Sequence, residues 1–171
     1  MTGAKIFHWT AAGVVATVAM LGCLPDSAYP DEPTLTFVAL EELVGVGDGR
    51  NLVLHFTDGD GNVGLAQSDT LAPFCPTCDH HQNLKCEYDE LRNGEWTHIP
   101  LNPVAGQVPF YYRVHRVAPS GTDPAQNGTI EVEMATWYLP TAYDTLRFRI
   151  TLEDRDLNLS NEVVTPAFVK P

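Results

Sequence analysis

Three cysteines and two adjacent histidines lie within thirteen positions of the chain, in the stretch FCPTCDHHQNLKC at residues 74–86. Residues of these types at this spacing can do three kinds of chemistry. Three thiolates and one imidazole can complete a tetrahedral zinc site, two thiols can close a disulfide, and a CxxC pair can exchange thiols and disulfides. The candidate ligands or partners are Cys75, Cys78, His80, His81 and Cys86.

The spacing of this cluster leaves two of the three uses open. Thiol-disulfide exchange is the least supported, because a reactive CxxC pair lies at the start of a helix that lowers the thiol pKa, and no helical pattern follows here. A disulfide between any two of the three cysteines would leave one thiol over. The sequence therefore predicts either a disulfide with a spare thiol or a structural zinc site.

A second set of candidate ligands lies in the loop FTDGDGNVGLAQSD. Asp58, Asp60 and Asn62 occupy alternate positions, and Asp69 is twelfth when Asp58 is counted as first. Calcium takes oxygen ligands at positions 1, 3, 5 and 12 of an EF-hand loop. The loop lacks the glycine of that motif at position six, and a strand pattern precedes it, so an EF-hand proper is excluded.

Further carboxylates lie near the C-terminus, in the stretch EDRDLNLSNE, which contains Asp154 and Asp156. In an immunoglobulin-like topology, the loop after the second strand and the loop before the last strand lie at the same end of the sandwich. The two acidic loops would then converge, and a calcium ion would relieve their repulsion. The competing interpretation is that Asp, Asn and Gly are the ordinary residues of tight turns.

The N-terminus indicates the compartment. One lysine precedes an apolar run from Trp9 to Leu21 that contains no charged residue, which is typical of a secretory signal. The sequence Met20-Leu21-Gly22-Cys23 resembles the bacterial lipobox, in which the cysteine is lipidated and becomes the new N-terminus. We therefore predict a signal peptide at residues 1–22, a lipidated Cys23 and a proline-rich tether at residues 23–33.

Composition restricts the partners of the mature chain. Removal of 22 residues from 171 leaves 149, and because only one charged residue, a lysine, is lost, the formal charge changes from -12 to -13. Such a charge excludes nucleic acid and bare anionic lipid as partners. Attachment to the membrane would come through the N-terminal lipid.

The rest of the chain has a hydrophobic period of two, as in NLVLHFT, TIEVEM and TLRFRITLE. This alternation is typical of antiparallel strands with one buried face. About eight such strands and no helix of ten residues predict an all-β fold, a single immunoglobulin-like antiparallel sandwich over residues 34–171. The cysteine-rich stretch is expected as an insertion at residues 70–86. Strands are also expected at 108–117 and 161–169.

Two motifs carry a resemblance to a known group. FTDGDGNVG after a strand, together with LEDRDLNLSNEVVTP near the C-terminus, resembles uncharacterised lipoproteins of Bacteroidetes-type bacteria with an immunoglobulin or fibronectin-like sandwich. YPDEPTLTF and VPFYYRV also fit that pattern, whereas Asn62 departs from it and the cysteine cluster has no place in it. The resemblance implies a location in the cell envelope and a module without catalytic activity.

These observations favour a lipid-anchored binding or scaffold module at the outer membrane, on its periplasmic or surface face, with a protein or glycan as its ligand. The sequence contains no GxSxG, HExxH, P-loop or dinucleotide-binding motif. The alternative hypothesis is a zinc-binding or thiol-redox accessory protein that uses the CPTCDHHQNLKC cluster.

Overall fold

The computed structural model of the protein describes residues 29–103, 106–116 and 124–171. The predicted signal peptide, residues 1–22, and the predicted lipidation residue, Cys23, lie outside the described residues. In the described ranges, no helix is both long enough and apolar enough to pass through a bilayer.

Within these ranges, nine strands form two antiparallel sheets. The first sheet has the order β1-β2-β6. In the second, β3 pairs with β7 on one side and with β4 and β5 on the other, and the far side of β7 pairs with β8 and β9. The strands are β1 (Thr34–Glu42), β2 (Arg50–Asp58), β3 (Leu84–Arg92), β4 (Glu95–His98), β5 (Phe110–Tyr112), β6 (Gln126–Met134), β7 (Thr145–Leu152), β8 (Val163–Val164) and β9 (Phe168–Val169).

This arrangement confirms the predicted all-β sandwich, with nine strands where about eight were expected. Three predicted boundaries were wrong. The strand expected at 108–117 is limited to β5, and the last strand is divided into β8 and β9. Pro166, which has no N–H to donate, lies between those two short strands. The insertion ends before residue 84, because Cys86 already belongs to β3.

The core lies between the sheets and contains the inward-facing residues of β2, β3, β6 and β7. At its centre Tyr88, Phe110 and Phe148 contact one another, with ring centroids 5.5, 5.7 and 5.8 Å apart in tilted or edge-on geometry. Trp137 closes the core at one end, and its Nε1–H donates to the Asp48 carbonyl (2.7 Å).

The two ends of the sandwich differ in chemistry. At one end lie the start of β1, the end of β2, the start of β6 and the end of β7. This end is called the acidic tip and is defined by Asp58, Asp60, Asn62, Asp154 and Asp156. At the other end, called the distal end, lie the turn between β1 and β2, the turn between β3 and β4, and the loop between β6 and β7. The chain therefore enters the fold at the acidic tip.

Replacement of Phe148 by Ala is expected to lower the free energy of unfolding by about 3–5 kcal/mol, because the ring is fully buried between two other aromatic rings and leaves a cavity. Val169→Ala in β9, at an exposed position, is the control and should change it by less than about 0.5 kcal/mol. Denaturant unfolding measures both. Equal effects of the two substitutions would contradict the packing described here.

Candidate functional site

The acidic tip brings together three carboxylates that are distant in sequence. Asp58 is the last residue of β2, Asp60 follows it in the loop, and Asp154 lies two residues after the end of β7. Carboxylate oxygens of all three lie within 4.8 Å of one another. Asp58 and Asp154 are 0 % exposed to solvent, which is rare for carboxylates without a cationic partner.

Asp58 holds its own loop in shape. Its Oδ2 accepts hydrogen bonds from the backbone N–H groups of Asn62 (2.7 Å) and Val63 (3.2 Å). The sequence folds locally in this way because Gly61 takes a positive φ of 69°, a conformation that glycine adopts without steric cost. The Asp58 carboxylate is therefore held in place with its other oxygen, Oδ1, directed elsewhere.

Asp154 likewise accepts hydrogen bonds that hold its own loop, between β7 and β8, in shape. Its Oδ1 accepts from the Asn158 backbone N–H (2.8 Å), and its Oδ2 accepts from the Asn158 side-chain amide (2.9 Å). Leu157 completes this turn with a φ of 68°. Two separate loops thus each present a buried carboxylate to the same place.

Asn62 joins the remaining members of the tip. Its Nδ2 donates to Asp60 Oδ2 (2.7 Å) and to Asp156 Oδ2 (3.1 Å). Among the described residues, three buried oxygens of the tip have no hydrogen-bond partner, namely Oδ1 of Asp58, Asp60 and Asn62. A buried acceptor without a donor costs about 1–3 kcal/mol. The tip is therefore a set of oxygen atoms that a donor or a cation would satisfy.

The electrostatics of the tip disfavour ionisation of Asp58 and Asp60. Burial raises the pKa of Asp58, against the hydrogen bonds from Asn62 and Val63, and the charge of Asp154 raises it further. Burial and then the charges of Asp58 and Asp154 raise the pKa of Asp60 to about 6. Both pKa values are thus raised for the same two reasons: the carboxylates are removed from water, and other negative charges lie close to them.

Asp69, predicted as a further ligand, does not belong to this group. Its Oδ2 accepts from the Ala66 N–H (2.8 Å) and pairs with the Arg155 guanidinium. Desolvation opposes ionisation of Asp69, but the Ala66 hydrogen bond and the charge of Arg155 hold its pKa below the usual value. The linear count fails because the chain turns away at Gly64, whose φ is 89° and which packs against the backbone of Arg116.

The cysteine cluster does not assemble the predicted zinc site. Cys75 and Cys78 form a disulfide, whereas Cys86 lies in the core, 1 % exposed, on the inward face of β3. Burial, and then the charge of Glu87, raises the pKa of the Cys86 thiol, which keeps it protonated. The structure thus agrees with the first of the two predictions, a disulfide with a spare thiol. The disulfide joins the two cysteines that are closest in sequence.

The two histidines of the cluster make contacts other than metal ligation. Nδ1 of His80 lies 2.6 Å from Glu153 Oε1, and Nδ1 of His81 lies 3.1 Å from the Phe74 carbonyl. Arg113, just after β5, donates to the carbonyls of Ala66, Asp69 and His81 at 2.8–3.0 Å. These contacts fasten the insertion to the sandwich beside the loop that contains Asp154.

The N-terminal segment also reaches the acidic tip, which the sequence analysis did not predict. The Gly59 N–H donates to the Pro30 carbonyl (2.7 Å), and the charge of Asp31 contributes to the raised pKa of Asp60. The Tyr29 hydroxyl accepts from Asn127 Nδ2 (2.9 Å). The segment has no hydrophobic periodicity from which these contacts could be predicted. Its only indication of a place near the acidic tip is the pair of acidic residues in SAYPDEP.

A groove of about 840 Å³ extends from the loop that joins β6 to β7, at the distal end, to β5, which pairs with the first residues of β3 in the half of the sheet nearer the acidic tip. The walls are held in place, since Lys170 Nζ donates to the carbonyls of Leu139 (3.1 Å) and Thr141 (2.8 Å). The apolar and aromatic residues of its lining include Ile99, Val108, Phe110, Tyr112, Tyr138 and Leu139.

Comparison with known proteins adds no relative. No family model, no curated protein and no solved structure matches the chain.

A count of free thiols tests the cysteine arrangement. A folded chain with Cys23 replaced by Ser should show no thiol that reacts with Ellman's reagent, because Cys86 is buried and Cys75 and Cys78 are joined. Denaturation should expose one thiol, and denaturation with a reductant should expose three. The control is Cys86→Ala, which should show none in denaturant alone. Three thiols without reductant, accompanied by released zinc, would instead support the zinc site.

Proposed function

We propose that the protein is a non-catalytic binding or scaffold module of the cell envelope, held by a lipid on Cys23 and presenting its distal groove to a partner. The observation that carries the proposal is the position of the groove. One part of its lining, Arg92 and the loop between β6 and β7, lies at the distal end, whereas the N-terminal segment joins the fold at the acidic tip.

The predicted anchor adds to this arrangement. Tyr29 is six positions after Cys23, so an extended chain spans at most about 20 Å between the lipid and the acidic tip. The tip would then face the membrane, and the part of the groove at the distal end would lie farthest from it. The resemblance to Bacteroidetes-type lipoproteins and the lipobox-like sequence before Cys23 support an outer-membrane location.

The chemistry of the groove favours a protein partner over a glycan. Phe110 is buried in its floor, Tyr112 and Tyr138 are half-buried, and Val108 at the mouth is 80 % exposed. Aromatic rings in such pockets are the residues that contribute most to protein–protein binding. Sugars also stack on tyrosine, so a glycan is the alternative outcome of the test below. The acidic chain disfavours nucleic acid.

The alternative of a thiol-redox accessory protein has one supporting feature, the Cys75–Cys78 disulfide. The structure has no helix at this CxxC sequence to stabilise a thiolate. We therefore keep the binding module as the proposal.

The anchor is tested by Cys23→Ser. Without an acyl-accepting cysteine, the protein should move from the membrane fraction to the soluble fraction. Cell fractionation with a high-salt wash measures this, and Cys86→Ser, which leaves the lipobox-like sequence intact, is the matched control. Retention of the Cys23→Ser protein in washed membranes would contradict lipid anchoring through this residue.

The groove is tested by photocrosslinking in intact cells. A benzophenone amino acid at Val108, at the mouth of the groove, should give a discrete adduct, while the same group at Leu159, 58 % exposed beside the acidic tip, should not. Protease or glycosidase sensitivity of the adduct identifies the class of partner. Tyr138→Ala should weaken the adduct about tenfold or more. Equal adducts from both positions would count against the groove.

A further inference from the structure

The acidic tip contains buried oxygens that the protein itself does not satisfy. Asp58 is 0 % exposed, and its Oδ1 has no hydrogen-bond partner among the described residues. The Oδ1 atoms of Asp60 and Asn62 are equally buried and unpartnered. Ordinary turn formation explains only Asp58 Oδ2, which accepts from the Asn62 and Val63 N–H groups. The second oxygen of Asp58 has no role in the turn.

Among the residues that the structure describes, no cationic side chain pairs with the carboxylates of Asp58, Asp60 or Asp154. None of the ion pairs in the described ranges includes Asp58, Asp60 or Asp154. Arg155, the nearest candidate in sequence to Asp154, pairs with Asp69. Buried charges without a partner are strongly unfavourable, and proteins normally pair them or use them to coordinate metals.

We propose that the acidic tip is a calcium site, in which one Ca²⁺ is held by Asp58, Asp60 and Asp154 and by the side-chain oxygen of Asn62. This inference goes beyond the binding function proposed above and does not depend on it.

The size and chemistry of the tip favour calcium over other common metals. Calcium binds oxygen at 2.3–2.6 Å, so oxygens on opposite sides of the ion are about 5 Å apart. The three carboxylates offer oxygens within 4.8 Å of one another, which fits this span. The set contains no sulfur or imidazole, the ligands that zinc prefers. Four protein oxygens leave two to four of the usual six to eight positions for water.

The ion would join two loops, one of which also contacts the N-terminal segment. Asp58 and Asp60 lie after β2, Asp154 lies after β7, and the Gly59 N–H connects the same loop to the Pro30 carbonyl. Calcium would replace repulsion between the two loops by attraction to a shared ion. The bound state is therefore expected to be more resistant to unfolding.

The test is thermal unfolding and isothermal titration of the purified protein after removal of metal with EGTA. Calcium at about 100 times its dissociation constant should raise Tm by about 5–10 °C, and titration should give one ion per chain. Magnesium at the same concentration should raise Tm less, because it requires a tighter octahedral shell.

Two variants distinguish a calcium ligand from a turn-forming residue. Asp60→Asn keeps an acceptor for the Asn62 amide but removes one charge, so it should abolish the calcium-induced rise while leaving the metal-free Tm unchanged or higher. Asp154→Asn should act in the same direction from the other loop. Glu95→Gln, an exposed position in β4, is the matched control and should keep the full calcium response.

A calcium-independent Tm in the wild-type protein, with no heat of binding, would overturn the proposal. So would an Asp60→Asn protein that is less stable than wild type without metal and keeps the calcium response. These outcomes leave the groove and the anchor unaffected, because neither depends on the ion.

Discussion

The repulsion between two fully buried carboxylates, Asp58 and Asp154, is the constraint on which the acidic end of this sandwich depends. Each carboxylate is needed locally, since it accepts the backbone N–H groups that close its own loop. Together they oppose one another in a place without a cationic side chain among the described residues. The hydrogen bonds that form each loop therefore require a buried carboxylate, whereas the repulsion between the two carboxylates opposes it. A conflict between levels of this kind is expected at functional sites rather than in ordinary cores.

The strands were predictable wherever one face is buried and the other is solvated. In β2, β6 and β7 the buried and partly exposed residues alternate almost without exception, so a period of two identified them. In β3 the same alternation places Leu84, Cys86 and Tyr88 inward, and it could have shown that Cys86 is a core residue rather than part of the insertion. The alternation then breaks, because Asp89 and Glu90 are both buried. Their partners, Arg147 (3.1 Å) and Arg92 (2.7 Å), compensate the charges, and such pairing cannot be inferred from periodicity.

The convergence of the acidic loops was predictable from the sequence, whereas the position of Asp69, the disulfide and the contacts of the N-terminal segment were not. Convergence of Asp58 with Asp154 followed from immunoglobulin-like topology, which places the two loops at one end. Asp69 was assigned by counting along the chain, but β-bridge pairing between Leu65 and His115 redirects the backbone before it reaches that position. The spacing of the cysteines did not select the disulfide between Cys75 and Cys78, which follows only once Cys86 is placed on the buried face of β3. Contacts of Pro30 with Gly59 depend on where the chain enters the fold.

The way in which β1 enters the sandwich has a mechanical consequence. From its start at Thr34, beside the acidic tip, the strand runs the length of the sheet to Glu42 and pairs with β2 at every residue except Val38, where the register shifts. Antiparallel hydrogen bonds lie perpendicular to the strands. A pull on the N-terminal segment away from the distal end therefore acts along β1 and shears all of its bonds with β2 at once, instead of opening them one after another. A domain pulled in this way resists unfolding because its first strand lies parallel to the applied force.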